Sequence, residues 1–223
     1  MDFLYLIFYG CLRLRFLDAK TNPGPHRPVP DVCRILCSNM RGLAGNLRDL
    51  TVASSQYDIL LCSETLVSDM LHVSEVLVSA FCRPVLLCRG KMPRARGMAA
   101  YVRDGYGAFR QPIFECGCCE MMFFRVCSVR QNLYVYSLYR NPDLDDRIFD
   151  CLLASMAAVQ AEDVRASFLF VELRPLKNHH GVAAFDFATV SGCDQLVVGP
   201  THARGETLDL LMTDVPDFLR VLL

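Results

Sequence analysis

A chain of 223 residues with 52% hydrophobic, 21% charged and 10% aromatic residues has the composition of one ordinary globular domain. That excludes a disordered tail, a collagen-like repeat and a multi-domain assembly, and a chain of this length buries a sizeable core without staples. With 23 basic and 24 acidic side chains the net charge is −1, so any nucleic-acid site has to be local.

Twelve cysteines are too dilute for a disulfide-built scaffold. Cys37, Cys62, Cys127 and Cys151 sit inside apolar runs, where a free cysteine behaves as a small buried hydrophobe, and a reducing compartment is expected. The amino-terminal run Phe3 to Leu12 is too short to span a bilayer. Asp2 precedes it and Arg13 and Arg15 follow, the reverse of a secretory signal. These features predict an intracellular protein, nuclear or cytoplasmic, with no membrane partner. The proline-rich stretch that follows reads as a linker, giving residues 1–31 as a lead-in and residues 32–223 as the folded domain. Within the lead-in, Asn22-Pro23-Gly24-Pro25 resembles the end of a ribosome-skipping peptide, D-x-E-x-N-P-G-P, with Lys20 where that pattern has glutamate. A plain proline turn is the alternative reading. Peptides of this kind are known from viruses and from the front of some retroelement proteins.

From Arg34 onward, β-rich runs alternate with helical patterns. Arg34–Met40 predicts a buried strand, Leu43, Leu47 and Leu50 a helix, and Asp58–Glu64 a second strand, together a βαβ unit. Further strands are expected at Arg83–Cys88, Met98–Arg103, Met121–Val129, Leu133–Tyr139, Phe168–Val171, Gln195–Val198 and Thr207–Thr213. The runs on either side of Arg130-Gln131-Asn132 predict a hairpin. Between Asp145 and Glu162, the residues Ile148, Phe149, Leu152, Leu153, Met156 and Val159 form one helical stripe, and Gly181–Val190 reads as another helix. This pattern predicts a layered α/β sandwich of two mixed β-sheets flanked by helices.

Ligands in layered α/β domains collect at strand ends. Asn39, Glu64 and Tyr139 each close an apolar strand. Singly they read as a turn former, a solvated acid and a core ring. The set Ser38-Asn39-Met40-Arg41-Gly42, Cys62-Ser63-Glu64-Thr65, Tyr136 to Pro142 and Thr201-His202-x-x-Gly205-x-x-Leu208-Asp209 is similar to the endonuclease/exonuclease/phosphatase superfamily. Within it, the set resembles the apurinic-type endonuclease domain of jockey-like non-LTR retrotransposons, over about residues 32–215. The resemblance implies a Mg²⁺-dependent nick in one DNA strand, with Mn²⁺ as substitute, whose 3′-hydroxyl primes the reverse transcriptase part of the same element. No small-molecule cofactor is implied. Asn39 and Glu64 would hold the metal, Tyr139 would contact the scissile phosphate, and Thr201 and Asp209 would lie on the far wall. Mg²⁺ keeps several waters and takes only one or two carboxylates, so Glu64 with Asn39 suffices.

Two departures bear on activity. The family carries G-D-x-N directly after the strand equivalent to Phe168–Val171, where the aspartate activates water and the asparagine orients the phosphate. Here that strand runs into Glu172-Leu173-Arg174-Pro175-Leu176-Lys177, as if a segment near 172–178 had been lost. Glu172 is the only stand-in for the aspartate, and nothing after it supplies the asparagine. The family's closing Ser-Asp-His motif does not occur before Leu223. A positioned acid or base contributes about 10²–10⁴-fold, so the expectation is a truncated copy without catalytic activity. The alternatives are a non-catalytic nucleic-acid-binding remnant and a phosphomonoesterase of the same superfamily. For DNA contact, Arg83, Arg89, Lys91, Arg94, Arg96, Arg103 and Arg110 cluster against the single acid Asp104, with Tyr101, Tyr106 and Phe109 interleaved. Arg94 and Arg96, with Arg140 and Thr201, are the named candidates; a solvated arginine-rich loop is the bland reading of the run. Cys116-Gly117-Cys118-Cys119 and His179-His180 lack the two spaced pairs of a structural zinc site.

Overall fold

The computed structural model describes residues 8–15, 32–67, 72–87, 97–115, 120–127, 132–139, 147–173, 180–197, 209–216 and 219–222, with the backbone alone at 8–15, 32, 147, 172–173, 180–182, 209 and 219–222. In chain order the first elements are β1 (Phe8–Arg15), β2 (Val32–Asn39), α1 (Leu43–Ser54), β3 (Ile59–Ser63), β4 (Val85–Leu87) and β5 (Met98–Val102). They are followed by β6 (Ala108–Arg110), β7 (Glu120–Val126), β8 (Leu133–Tyr139), α2 (Arg147–Glu162), β9 (Ser167–Leu173), α3 (His180–Ser191), β10 (Asp194–Gln195), β11 (Asp209–Thr213) and β12 (Leu219–Leu222). The strands form two six-stranded mixed sheets, ordered β12-β1-β2-β3-β5-β4 and β10-β11-β9-β8-β7-β6. No helix among the described residues is long and apolar enough to cross a membrane.

The strands and helices predicted from Arg34 onward are present with ends moved by a few residues, except that the run Gln195–Val198 gives only Gln195 to the two-residue β10. Three further strands appear: β6 and β12 are short, and β1 lies inside the lead-in assigned to residues 1–31. The folded part therefore reaches back beyond Val32. Leu12-Arg13-Leu14-Arg15 alternates with period two, the pattern of a half-buried strand, and the first sheet takes it up beside β2. The linker from 16 to 31, with its Asn-Pro-Gly-Pro, lies outside the described residues.

The chain divides into two compact units, one built on β2 to β5 and the other on residues 105–220. In the first, β2 and β3 run parallel, with Ile35 opposite Ile59 and Asn39 opposite Ser63. Parallel neighbours need a crossover, and α1 supplies it. Leu36, Leu60, Cys62, Ala99 and Tyr101 alternate onto the face that packs with Leu43 and Leu50 of α1 and with Val76 and Phe81. Ile35, Cys37 and Asn39, and likewise Ile59, Leu61 and Ser63, fall on the opposite face. Tyr101 pays for complete burial by donating its hydroxyl to the Val76 carbonyl at 2.9 Å.

In the second unit, β7 and β8 pair antiparallel with Glu120 opposite Tyr139, as the hairpin prediction requires. Strand β9 runs parallel to β8 through the α2 crossover, and β11 runs antiparallel to β9. Phe123, Tyr134, Tyr136, Phe168, Phe170 and Met212 alternate toward Phe149, Leu152 and Met156 of α2 and Phe187 of α3. Aromatic contacts organise this core: Tyr136 stacks on Phe170 at 4.7 Å, and Phe187 meets Phe170 edge-on at 5.1 Å. The Tyr136 hydroxyl pairs with Ser155 Oγ at 2.9 Å, which in turn donates to the Phe114 carbonyl.

Candidate functional site

In the first unit the chemistry-bearing residues sit where β2 and β3 end. The parallel ladder does not stop with the strands: Met40 N–H donates to the Ser63 carbonyl at 2.9 Å, Gly42 N–H to Glu64 at 2.9 Å and Leu43 N–H to Thr65 at 2.7 Å. Asn46 of α1 adds its side-chain amide to the carbonyls of Met40 and Gly42, both at 2.8 Å. On the far side, Thr65 N–H donates to Gly97 at 3.2 Å, which joins the β3 end to the entry of β5. Asn39 and Glu64 are both half-buried and hang from the two loops of this seam.

The seam holds strained backbone. The described non-glycine residues with positive φ are Arg41 at 45°, Glu64 at 48°, Leu66 at 52° and Ala80 at 66°, and the first three belong to these two loops. A left-handed L-residue costs about 1–2 kcal/mol, and such residues gather at functional sites because the surroundings over-determine them. Glu64 thereby leaves the β3 alternation that would otherwise send it toward the α1 face with Cys62. Asn39 Oδ1 accepts a long 3.3 Å bond from Arg41 N–H, which rounds the turn. Burial pushes the Cys62 thiol up to about 12, so it stays neutral and adds no charge beside Glu64.

One carboxylate and one amide carbonyl at the ends of adjacent parallel strands are hard oxygen donors with no sulfur between them, which is the donor set a hydrated Mg²⁺ or Mn²⁺ accepts. The residues fit that cation. A structural zinc cage is a different matter: no group of three or more His, Cys, Asp or Glu gathers among the described residues, and Cys116 to Cys119 and His179 lie outside them.

In the second unit, Tyr139 closes β8 and Asp209 opens β11, and both fall at the same end of the sheet. Leu138 pairs with Glu172 and Leu173 with Asp209. Tyr139, with Ser137 and Val135, alternates away from the helix-packed set. Tyr139 is only 2% exposed, so its ring is core here rather than an open phosphate contact. A carboxylate that sequence reasoning missed, Glu120, is buried at 3% as the register partner of Tyr139. Its signal was a lone acid opening the apolar run Met121-Met122-Phe123-Phe124.

Neither a protein-family model nor a curated protein matches the chain. Among solved structures, it is similar to the endonuclease domain of TRAS1, a telomere-specific non-LTR retrotransposon, with TM-score 0.56 and 16% identity over 81% of this chain and 83% of that one. An AP endonuclease from Leishmania major aligns with TM-score 0.58 at 10% identity, covering 82% of this chain and 79% of that one. An AP endonuclease from Archaeoglobus fulgidus aligns with TM-score 0.56 at 12% identity, covering 82% and 87%. The fold is the endonuclease/exonuclease/phosphatase fold. At these identities the likeness establishes the architecture, two mixed sheets with flanking helices, and the chemistry has to be argued from the residues.

On this fold the expected basic patch is partly dismantled. Arg103 donates to the carbonyls of Ser54 at 2.7 Å and of Tyr57, pairs with Asp58 at 3.4 Å and lies 4.8 Å from the Phe81 ring centroid. Arg110 makes a two-pronged pair with Glu115, both bonds at 2.7 Å. Both guanidinium groups are occupied inside their own units, and the interleaved Tyr101 is fully buried. Asp58 and Glu115 lie outside the arginine-rich run in sequence, so within it Asp104 is the only visible acid. Arg83 and Phe109 are exposed. Arg89, Lys91, Arg94, Arg96, Arg140 and Thr201 lie outside the described residues.

Proposed function

We propose that this chain is the endonuclease-like domain of a non-LTR retroelement, one that keeps a divalent-cation and phosphodiester site while its cleavage of DNA falls to background. The observation that carries the first half is the strained, cross-bonded seam that suspends Asn39 and Glu64 from adjacent strand ends. These two residues would hold Mg²⁺ or Mn²⁺, and the ion, when bound, supplies positive charge to a phosphodiester of the DNA backbone. The Asn-Pro-Gly-Pro segment and the likeness to a retrotransposon endonuclease domain support a retroelement origin. The reverse transcriptase of the same element is then the expected partner in the parent protein.

The second half rests on β9. Only six residues, 174–179, separate it from α3, and none is an aspartate. Glu172 is the one acid at that strand end. Without a positioned base the reaction forfeits about 10²–10⁴-fold. A supercoiled-plasmid nicking assay, with Mg²⁺ and with EDTA, tests this: conversion to open circles should match the protein-free control. Mg²⁺-dependent nicking that disappears in Glu64→Ala would overturn the loss of cleavage. Binding to duplex DNA should fall steeply with salt, and no binding even at low salt would remove the phosphodiester site.

A further inference from the structure

Strand β3 ends on a side chain that the fold does not use. Ser63 is 0% exposed, and its Oγ has no hydrogen-bond partner among the described residues. Each buried hydroxyl left unpaired costs stability, and native proteins keep such groups where a ligand or a catalytic arrangement completes them. Ser63 is the register partner of Asn39 across the parallel pair, on the same helix-free face, with the strands about 4.8 Å apart. The Met40 N–H bond to the Ser63 carbonyl fixes these two backbones against one another. Only side-chain rotation is left free.

Asn39 has a problem that a carboxylate would not have. Its amide ends in one oxygen and one nitrogen, and only the oxygen can serve a cation. In the structure that oxygen has the 3.3 Å contact from Arg41 N–H, at the long end of the hydrogen-bond range. We propose that Ser63 is the positioning residue for Asn39: when a cation binds, side-chain rotation lets Ser63 Oγ accept a hydrogen bond from Asn39 Nδ2, which commits Oδ1 to the cation. The inference rests on the cation-site reading above. It explains why a buried position in the otherwise apolar run Ile59-Leu60-Leu61-Cys62 ends on a hydroxyl instead of a methyl group.

The test is Mn²⁺ titration of the full chain, followed by the electron paramagnetic resonance signal of free Mn²⁺, alongside urea unfolding of the metal-free protein. Ser63→Ala should weaken Mn²⁺ binding about tenfold, the low end of what an outer partner of a ligand contributes, while the metal-free unfolding midpoint stays level or rises. Ser63→Thr, which keeps the oxygen, should retain binding. In an Asn39→Asp background both side-chain oxygens are equivalent, so there is no amide to orient and Ser63→Ala should change binding less than about twofold. Wild-type affinity in Ser63→Ala, or an equal tenfold loss in both backgrounds, overturns the positioning role and leaves the cation site standing. Absence of Mn²⁺ binding by the wild-type chain and by Asn39→Asp overturns the cation site, and the positioning role with it.

Discussion

Gly97 is where the seam meets β5, and replacing it with alanine is a quantitative test of how tightly Glu64 is held. Its φ is +70°, and a Cβ built there would lie 2.7 Å from Thr65 Oγ1 and 3.3 Å from the Leu87 carbonyl. Alanine in the left-handed region costs about 1–2 kcal/mol. The contact with Thr65 adds about 1–2 kcal/mol more, because the side chain has to leave its rotamer in a fully packed site. The total, about 2–4 kcal/mol, should lower the midpoint of thermal unfolding by roughly 5–15 °C for a chain of this size. Thr65 Oγ1 is buried and has no hydrogen-bond partner among the described residues, so Thr65→Ala removes the overlap without stranding a bond. In the double variant the overlap share of about 1–2 kcal/mol should return, and the left-handed share should remain. Urea unfolding followed by circular dichroism measures all four corners of the cycle. A Gly97→Ala variant within about 0.5 kcal/mol of wild type, or a double variant with no recovery, would refute the reasoning.

Other consequences follow from groups already described. Arg103→Ala deprives the carbonyls of Ser54 and Tyr57 of their charged donor and leaves Asp58 without its cation, so it should cost about 2–4 kcal/mol in urea unfolding. Arg103→Lys keeps the charge, loses the fork and should recover about half; a loss under about 1 kcal/mol for the alanine variant contradicts the pinning role. At Asp214, burial raises the carboxyl above its ordinary value, against the opposing bond from Phe168 N–H at 2.7 Å. A raised acid favours the folded state below its unfolded pKa, and that contribution is lost as pH rises through the folded pKa. Asp214→Asn keeps the acceptor for Phe168 and should be more stable than wild type at pH 7, with the difference vanishing near pH 3–4 where the wild-type carboxyl is protonated. An equal difference at both pH values would mean that charge is not the cause.

Much of the architecture was written in local pattern. The βαβ unit could be read from Ile35 to Leu61, and the hairpin from the two apolar runs around Asn132, because period-two and period-3.6 signals are carried by a few adjacent residues. Strand β1 is hard to see in the sequence because its apolar run precedes a proline-rich stretch that breaks regular structure and its sheet partners are distant in the chain. Asn39 and Glu64 were legible as candidates because a polar residue closing an apolar strand is a local feature. Their left-handed neighbours were not: Arg41 and Leu66 are residue types that ordinarily avoid positive φ, yet both adopt it in these two loops. The fate of Arg103 and Arg110 was equally hidden, since the acids that bind them come from other segments.

Because amides of one loop are bonded to carbonyls of the other, the turns after β2 and β3 constitute a single mechanical part made of two pieces of chain. Transplanting residues 40–43 or 63–66 alone from a distant homologue would bring the same backbone groups on a different turn, and the amides and carbonyls would no longer meet along the join. Anyone restoring or redesigning this end of the molecule should therefore graft both stretches together, as a matched pair, with Asn46 included as the bracket that grips the first of them from the helix.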